Sequence, residues 1–331
     1  MRRLVCISLA LFAISIPAIG QTGAQNGSWV RQKAGTMMWL RAVFFLDHNR
    51  GWAVGAKGTL LRTNDGGLNW QARGASTTDN VRDIFFLDEQ NGWLVCEVNV
   101  FEPQKTDDAR SYLMRTTDGG DTWTRVDLKG LELQSILVRA LFSRGGRGWI
   151  FGENGSIFTT RDGGENWSRL QSPTRRLLLG GTFVDDDRGW IVGAGATIIQ
   201  TSDGGDTWYQ SRLPQVEKSV RFTAASFIDN RNGWAVGSGG NVYHTANGGR
   251  TWLKQESGVH ADLFDVKFVD GREGWAVGAE GTIIHTSDGG DHWTSERSET
   301  QHPLERVFFT DKTRGWAVGF GGTVVAYSRE S

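Results

Sequence analysis

The chemistry-bearing residues that stand out first are six turn residues of one spelling. Asp65, Asp118, Asp162, Asp203 and Asp288 each open an Asp-Gly-Gly-x-x-Trp stretch, and Asn247 opens a sixth copy. Five carboxylates invite a metal reading, but each sits in a separate copy, and the copies fall in different units of the chain. A carboxylate at the start of a tight turn accepts backbone N–H bonds, while the glycines supply positive φ. Asn247 can accept the same bonds without charge. The pattern therefore predicts six structural turns and no metal site. The six histidines, His48, His244, His260, His285, His292 and His302, lack metal-ligand spacing. His244 and His285 occupy equivalent places in two copies of a repeat. Of the four tyrosines, Tyr243 and Tyr327 fall in equivalent strands and Tyr209 follows a turn Trp, which leaves Tyr112 oddly placed. No Gly-x-Ser-x-Gly elbow or phosphate-binding loop occurs. A glycosidase needs two carboxyl groups facing across a pocket, and no loop advertises such a pair. Cys96 reads as a buried structural thiol. The expectation is no catalytic residue, no metal and no cofactor.

The elements that carry these turns form a repeat. Gly-Trp occurs with Trp52, Trp93, Trp149, Trp190, Trp234, Trp275 and Trp316, at intervals of 41, 56, 41, 44, 41 and 41 residues. A Phe precedes each by seven positions: Phe45, Phe86, Phe142, Phe183, Phe227, Phe268 and Phe309. The Asp-Gly-Gly-x-x-Trp turn follows in six copies. Each copy divides into four short strands, in the first at Arg41–Leu46, Gly51–Gly55, Thr59–Thr63 and Asn69–Arg73, rich in Val, Ile, Phe, Thr and Trp. Four strands per roughly 40 residues is the signature of a propeller blade. The chain is thus expected to be all-β, a seven-bladed β-propeller of four-stranded antiparallel blades forming one domain over residues 21–331. The seventh copy stops after its third strand. The N-terminal stretch Asn26 to Gln32 resembles the missing fourth, so it is expected to complete the last blade and close the ring, which removes open edges. The 45 Gly and 15 Trp are largely accounted for by this repeat, with Trp39 unassigned.

Before the repeat, Arg2 and Arg3 lead an apolar run from Leu4 to Ile19, followed by small residues. This predicts a signal peptide over residues 1–20 and an extracytoplasmic protein, periplasmic or secreted. Cleavage would leave Cys96 as the single thiol, no internal disulfide and no membrane span.

Binding is expected on the face formed by the blade-to-blade loops and the second-to-third-strand loops. The long 56-residue interval places an insertion there, about residues 97–111, with Lys105, Asp107, Asp108 and Arg110. A formal net charge of -1 gives no general affinity for nucleic acid. Yet the blade-to-blade loops and strand starts are rich in Lys and Arg, while the turns at the other end are acidic. Arg41, Arg82, Arg139, Arg175, Arg176, Lys218, Arg221 and Arg306 form the candidate basic face for an acidic partner. The chain is expected to act as a monomer.

The stretch Thr63 to Trp70 resembles the Asp-box of sialidases and related propellers. The complete repeat, Phe-(x)6-Gly-Trp-(x)2-Gly-x-x-Gly followed by Thr-x-Asp-Gly-Gly-x-x-Trp, resembles the photosystem II stability/assembly factor family over about residues 26–329. That resemblance implies a seven-bladed propeller of the thylakoid lumen. It would bind newly made reaction-centre subunits, among them the D1 precursor, through an arginine patch, and Arg41, Arg82, Arg139, Arg175, Arg176 and Arg221 are the candidates. Similar blades occur in secreted bacterial proteins and xyloglucan-degrading enzymes. A secreted Asp-box glycosidase and an envelope assembly module in a non-photosynthetic bacterium therefore stand as alternatives.

Overall fold

A computed structural model describes residues 27–99, 109–126, 134–143, 145–213 and 218–330. Seven four-stranded antiparallel sheets succeed one another in chain order. Their innermost strands are Leu40–Phe45, Asn80–Phe86, Leu137–Phe142, Leu178–Phe183, Phe222–Phe227, Leu263–Phe268 and Leu304–Asp311, numbered here blades 1 to 7. The seventh blade is finished by the N-terminal strand, Ser28–Lys33, which pairs antiparallel with Thr323–Ser328. Among the described residues the only helical segments are 3₁₀ turns. The signal-peptide stretch lies outside the described residues.

The invariant Phe and Trp explain why the blades pack as they do. Each Gly-Trp indole stacks on the Phe of the following blade, with ring centroids 3.4–4.6 Å apart, and Trp316 closes the circle on Phe45. The turn Trp of the same blade meets that Phe edge-on at 5.7–6.0 Å, and Trp29 takes this role in blade 7. Every Phe is thus held between a stacked and a T-shaped indole; the ring quadrupole favours the T-shaped contact, and the parallel stack adds dispersion and buried apolar area. The Gly before each Trp is required by the same packing. A Cβ on Gly189 would enter the Phe183 ring.

In the first blade the second and third strands lie at Gly51–Gly55 and Thr59–Thr63 as expected, and the first begins one residue earlier than expected, at Leu40. The fourth starts at Gln71 rather than Asn69 because Asn69 belongs to the turn: its N–H and its side-chain amide both bond the Asp65 carboxylate. In blade 4, Asp203 accepts from Thr201 Oγ1 (2.8 Å), Thr207 N–H (2.9 Å) and Thr207 Oγ1. Asn247 reproduces the arrangement uncharged, accepting from Thr251 N–H and donating to Thr251 Oγ1.

Burial pushes the Asp203 carboxyl up, but the bonds from Thr207 and Thr201 outweigh it and hold it at about 2. A depressed native pKa stabilises the fold above the unfolded value and is lost as pH falls through the native one. The melting temperature of wild type should therefore fall towards that of Asp203→Asn as pH drops from about 5 to about 2, a range set by the model-peptide value. An unchanged gap across that range would remove the charge from the explanation.

Candidate functional site

Each inner strand carries a β-bulge near its start, at its second residue in six blades and at its third, Arg82, in blade 2. Bulges re-aim side chains. These seven sit at the mouth of the central channel, on the face built from blade-to-blade loops. Arg41, Arg82 and Glu305 are bulge residues. Arg82 pairs with Glu97. The Arg41 guanidinium lies 3.8 Å from the Trp39 ring centroid, and its Nε is buried with no hydrogen-bond partner. Trp39 Nε1 donates to Glu305 Oε1 at 3.1 Å. Burial, reinforced by Arg82, lowers the pKa of Arg41, and burial raises that of Glu305 against the pull of Arg41. Phe320 meets Trp39 edge-on at 5.5 Å, and Met37, Met38 and Phe320 are exposed beside it. Trp39, the tryptophan outside the repeat, thus marks the channel mouth.

One residue deeper, four charges cross the channel. Arg306 of blade 7 pairs with Asp83 of blade 2 at 3.2 Å, and Arg139 of blade 3 with Asp265 of blade 6 at 3.3 Å. Arg306 also approaches Asp265 at 3.9 Å, which joins the pairs into one belt. Each carboxylate caps the next blade as well: Asp83 accepts the Ala140 N–H and Asp265 the Val307 N–H. Arg139 and Arg306, expected on the docking face, are therefore placed inside the ring and engaged there. Lys267 faces the same belt. Burial lowers its pKa and Asp265 partly restores it. Asp83, Asp265, Lys267 and Glu305 were missed as site residues. For Asp83 and Asp265 a signal was present, since charge stands there where blades 1, 4 and 5 carry Ala42, Gly180 and Ala224.

The remaining basic residues lie on exposed loops. Arg175 and Arg176 connect blades 3 and 4, and Lys218 and Arg221 connect blades 4 and 5. These loops adjoin. The Arg176 guanidinium lies over Gly195, whose neighbour Ala196 donates its N–H to Val220 O at 2.7 Å. Arg221 is 3.6 Å from Asp262, a weak exposed pair. Beside them a cavity of about 380 Å³ opens between Asn154, Arg169, Gln171, Ser172 and Arg175, with no carboxylate in its lining. A larger cavity of about 560 Å³ lies at the opposite end, near His48, Phe308 and Asp311. Of the insertion, Lys105, Asp107 and Asp108 lie outside the described residues, and Arg110 pairs with Glu153 at 2.9 Å.

The candidate nucleophiles are engaged structurally. Tyr112 falls in a third strand, like Tyr243 and Tyr327, and its hydroxyl bonds Asp79 and Thr77. Cys96 is fully buried, and burial pushes its thiol up to about 12. Among the described residues no cluster of three or more His, Cys, Asp or Glu could hold a metal ion.

The chain is 35% identical over 63 residues to the chloroplastic photosystem II stability/assembly factor HCF136 of Arabidopsis thaliana, covering 18% of this chain and 16% of that one. It is 26% identical over 178 residues to the photosystem II assembly lipoprotein Ycf48 of Synechococcus sp., covering 50% of each. The chain thus spans half or less of the length of these curated relatives. A solved structure of YCF48 bound to a D1 peptide superposes with a TM-score of 0.75 at 21% identity, over 96% of this chain and 100% of that one. YCF48 from Cyanidioschyzon merolae gives 0.72 at 21%, over 91% and 98%. A GH74 xyloglucanase from Xanthomonas campestris gives 0.69 at 13%, over 90% and 53%. These structural likenesses show a shared fold. The profile of the photosynthesis system II assembly factor YCF48 matches four consecutive stretches, 22–95, 75–177, 170–258 and 254–328, and the chain accordingly belongs to that family.

Proposed function

We propose that this chain is a non-catalytic, extracytoplasmic scaffold for photosystem II assembly or stability. Its basic face docks a segment of a membrane-protein subunit. Family membership carries this reading, and the solved YCF48 bound to a D1 peptide supports a protein partner. The adjoining loops with Arg175, Arg176, Lys218 and Arg221 offer guanidinium forks to acidic side chains, and the carboxylate-free cavity beside Arg169 and Arg175 has room for one. Arg41 and Arg82 extend the positive surface to the channel mouth. Extracytoplasmic placement rests on the apolar N-terminal run and on the names of the lipoprotein and chloroplastic relatives. The non-catalytic reading is supported by the engagement of Glu97, Glu305 and Tyr112 in internal bonds. A panel of sialosides and β-glucans is expected to show no turnover, and hydrolysis lost on substituting one carboxylate of this face would establish the glycosidase instead.

The docking test is direct. The triple variant Arg175→Glu, Arg176→Glu, Arg221→Glu should fold like wild type, because all three side chains are exposed. It should retain about tenfold less of the reaction-centre subunit in affinity purification, and wild-type retention should fall with salt. Equal, salt-insensitive retention by both proteins would end the electrostatic reading.

A further inference from the structure

The seven blades are copies, so places where one blade departs from the copy are informative. Opposite each Gly-Trp indole, on the third strand, stands one residue: Arg62, Arg115, Thr159, Gln200, His244, His285 or Ala326 in blades 1 to 7. Arg62 and Arg115 hold a permanent cation near their indoles and pair with Asp121 and Glu165 of the next blade. His244 and His285 stack on Trp234 and Trp275. The two histidines then differ. Blade 6 alone has an acid, Glu273, before its Gly-Trp, where the other blades have Arg50, Asn91, Arg147, Arg188, Asn232 and Arg314. It also has Glu296 on its fourth strand, where blades 5 and 7 have Gln255 and Gln32.

Both departures converge on His285. Its Nε2 is 2.8 Å from Glu273 Oε2 and its Nδ1 is 3.2 Å from Glu296 Oε1. A neutral imidazole donates from one nitrogen only, so two carboxylate acceptors are both satisfied only by the imidazolium. Each carboxylate in turn holds one end of the chain. Glu296 Oε2 accepts from Trp29 Nε1 at 2.7 Å, on the N-terminal closing strand. Glu273 Oε1 pairs with Arg329 at 3.2 Å, just after the last strand. Trp29 and Trp275 pack on the Tyr327 ring.

We infer that Glu273, His285 and Glu296 form a proton-operated clasp that locks both chain ends of blade 7 onto blade 6. With the proton bound, one cation bridges two carboxylates and the ring is fastened. With the proton lost, two half-buried carboxylates face each other across a neutral ring, and the grip on Trp29 and Arg329 weakens.

The titration direction agrees. Burial pulls the pKa of His285 down, but the bonds to Glu296 and Glu273 outweigh it and the net shift is upward. His244, without such partners, is shifted downward by burial. The titratable and charged groups facing the clasp among the described residues are Glu273 from the second-strand side, Glu296 from the fourth strand, and Tyr327 and Arg329 from blade 7. Tyr327 is raised by burial and stays neutral in the range concerned, and Arg329 is raised by its bond to Glu273 against the effect of burial. A raised native pKa stabilises the closed ring fully below the unfolded value of about 6.5 and loses that contribution as pH rises through the native value.

Hydrogen exchange of the closing strand tests this in the full protein. After correction for intrinsic exchange, protection of residues 28–33 in wild type should fall several-fold between about pH 6 and about pH 9, while strands of blades 3 and 4 hold steady. His285→Arg, which installs the cation used in blades 1 and 2, should flatten that profile, and His244→Arg should leave it as in wild type. A flat wild-type profile, or the same slope in His285→Arg, would overturn the clasp. Should His285→Arg fail to fold, the wild-type imidazole resonances decide: His285 must titrate above His244, and an order reversed or equal ends the proposal.

Discussion

Asp265→Ala should cost about 3–5 kcal/mol of folding stability, because it removes one partner from a buried ionic belt. The carboxylate is 3% exposed and sits between Arg139 and Arg306, with Lys267 beside it. Taking it away leaves three cations answered by Asp83 alone, and leaves the Val307 N–H without its acceptor. Burial already lowers the pKa of Arg139, and Arg306 lowers it further. Asp265→Asn keeps an acceptor for Val307 while removing the charge, so it should lie between wild type and Asp265→Ala. Urea unfolding measures both, and the midpoint must shift with an unchanged slope for the comparison to hold. A loss below about 1 kcal/mol for Asp265→Ala would mean that water in the channel solvates the arginines, as at exposed pairs. The belt need not be the most stable filling of the channel. Replacing Asp83, Asp265, Arg139, Lys267 and Arg306 together by apolar residues of similar volume should come closer to wild type than the single variant does.

How far the belt was legible illustrates what a repeat conceals and what it reveals. The Phe, Gly-Trp and turn Trp positions recur because each blade needs the same three rings. Their spacing alone yields the blade count, the strand order and the closing role of Trp29. The site was harder to read, because arginines near strand starts look alike in sequence. Arg41 and Arg82 fall on the bulge, whereas Arg139 and Arg306 fall one residue later and turn into the channel. A one-residue offset decides between mouth and interior: the bulge residues stand four before the repeat Phe and the belt residues three before it, and only the bulge gives that offset its meaning. Arg175, Arg176, Lys218 and Arg221 were easier to place, since loops long in polar residues run over the surface. Glu273 and Glu296 were legible in principle. Each breaks the repeat by charge, and only their meeting on His285 needed the fold.

Trp149→Ala should be as damaging as the loss of Asp265, by a different physical route. The indole is fully buried, stacked on Phe183 with centroids 3.4 Å apart, and its Nε1 donates to Gly204 O at 2.9 Å. Truncation opens a cavity between blades 3 and 4 and strands a buried carbonyl. Large-to-small changes of this kind cost about 3–5 kcal/mol. Trp208→Ala provides the contrast. That ring touches the same Phe183 edge-on and is nearly as buried, but its Nε1 has no partner, so only packing is lost. It should cost less, by about the 1 kcal/mol net worth of a hydrogen bond. The ring geometry decides how the damage spreads. Each blade touches two neighbours, and the N-terminal strand ties the seventh blade to the first through the closed circle. A weakened interface between blades 3 and 4 cannot separate while the ring is fastened elsewhere, so denaturation should remain a single transition with a lowered midpoint. If Trp149→Ala instead unfolds in two steps, the blades behave as a linear array with local cooperativity, and ring closure contributes less than the covalent sharing of blade 7 implies.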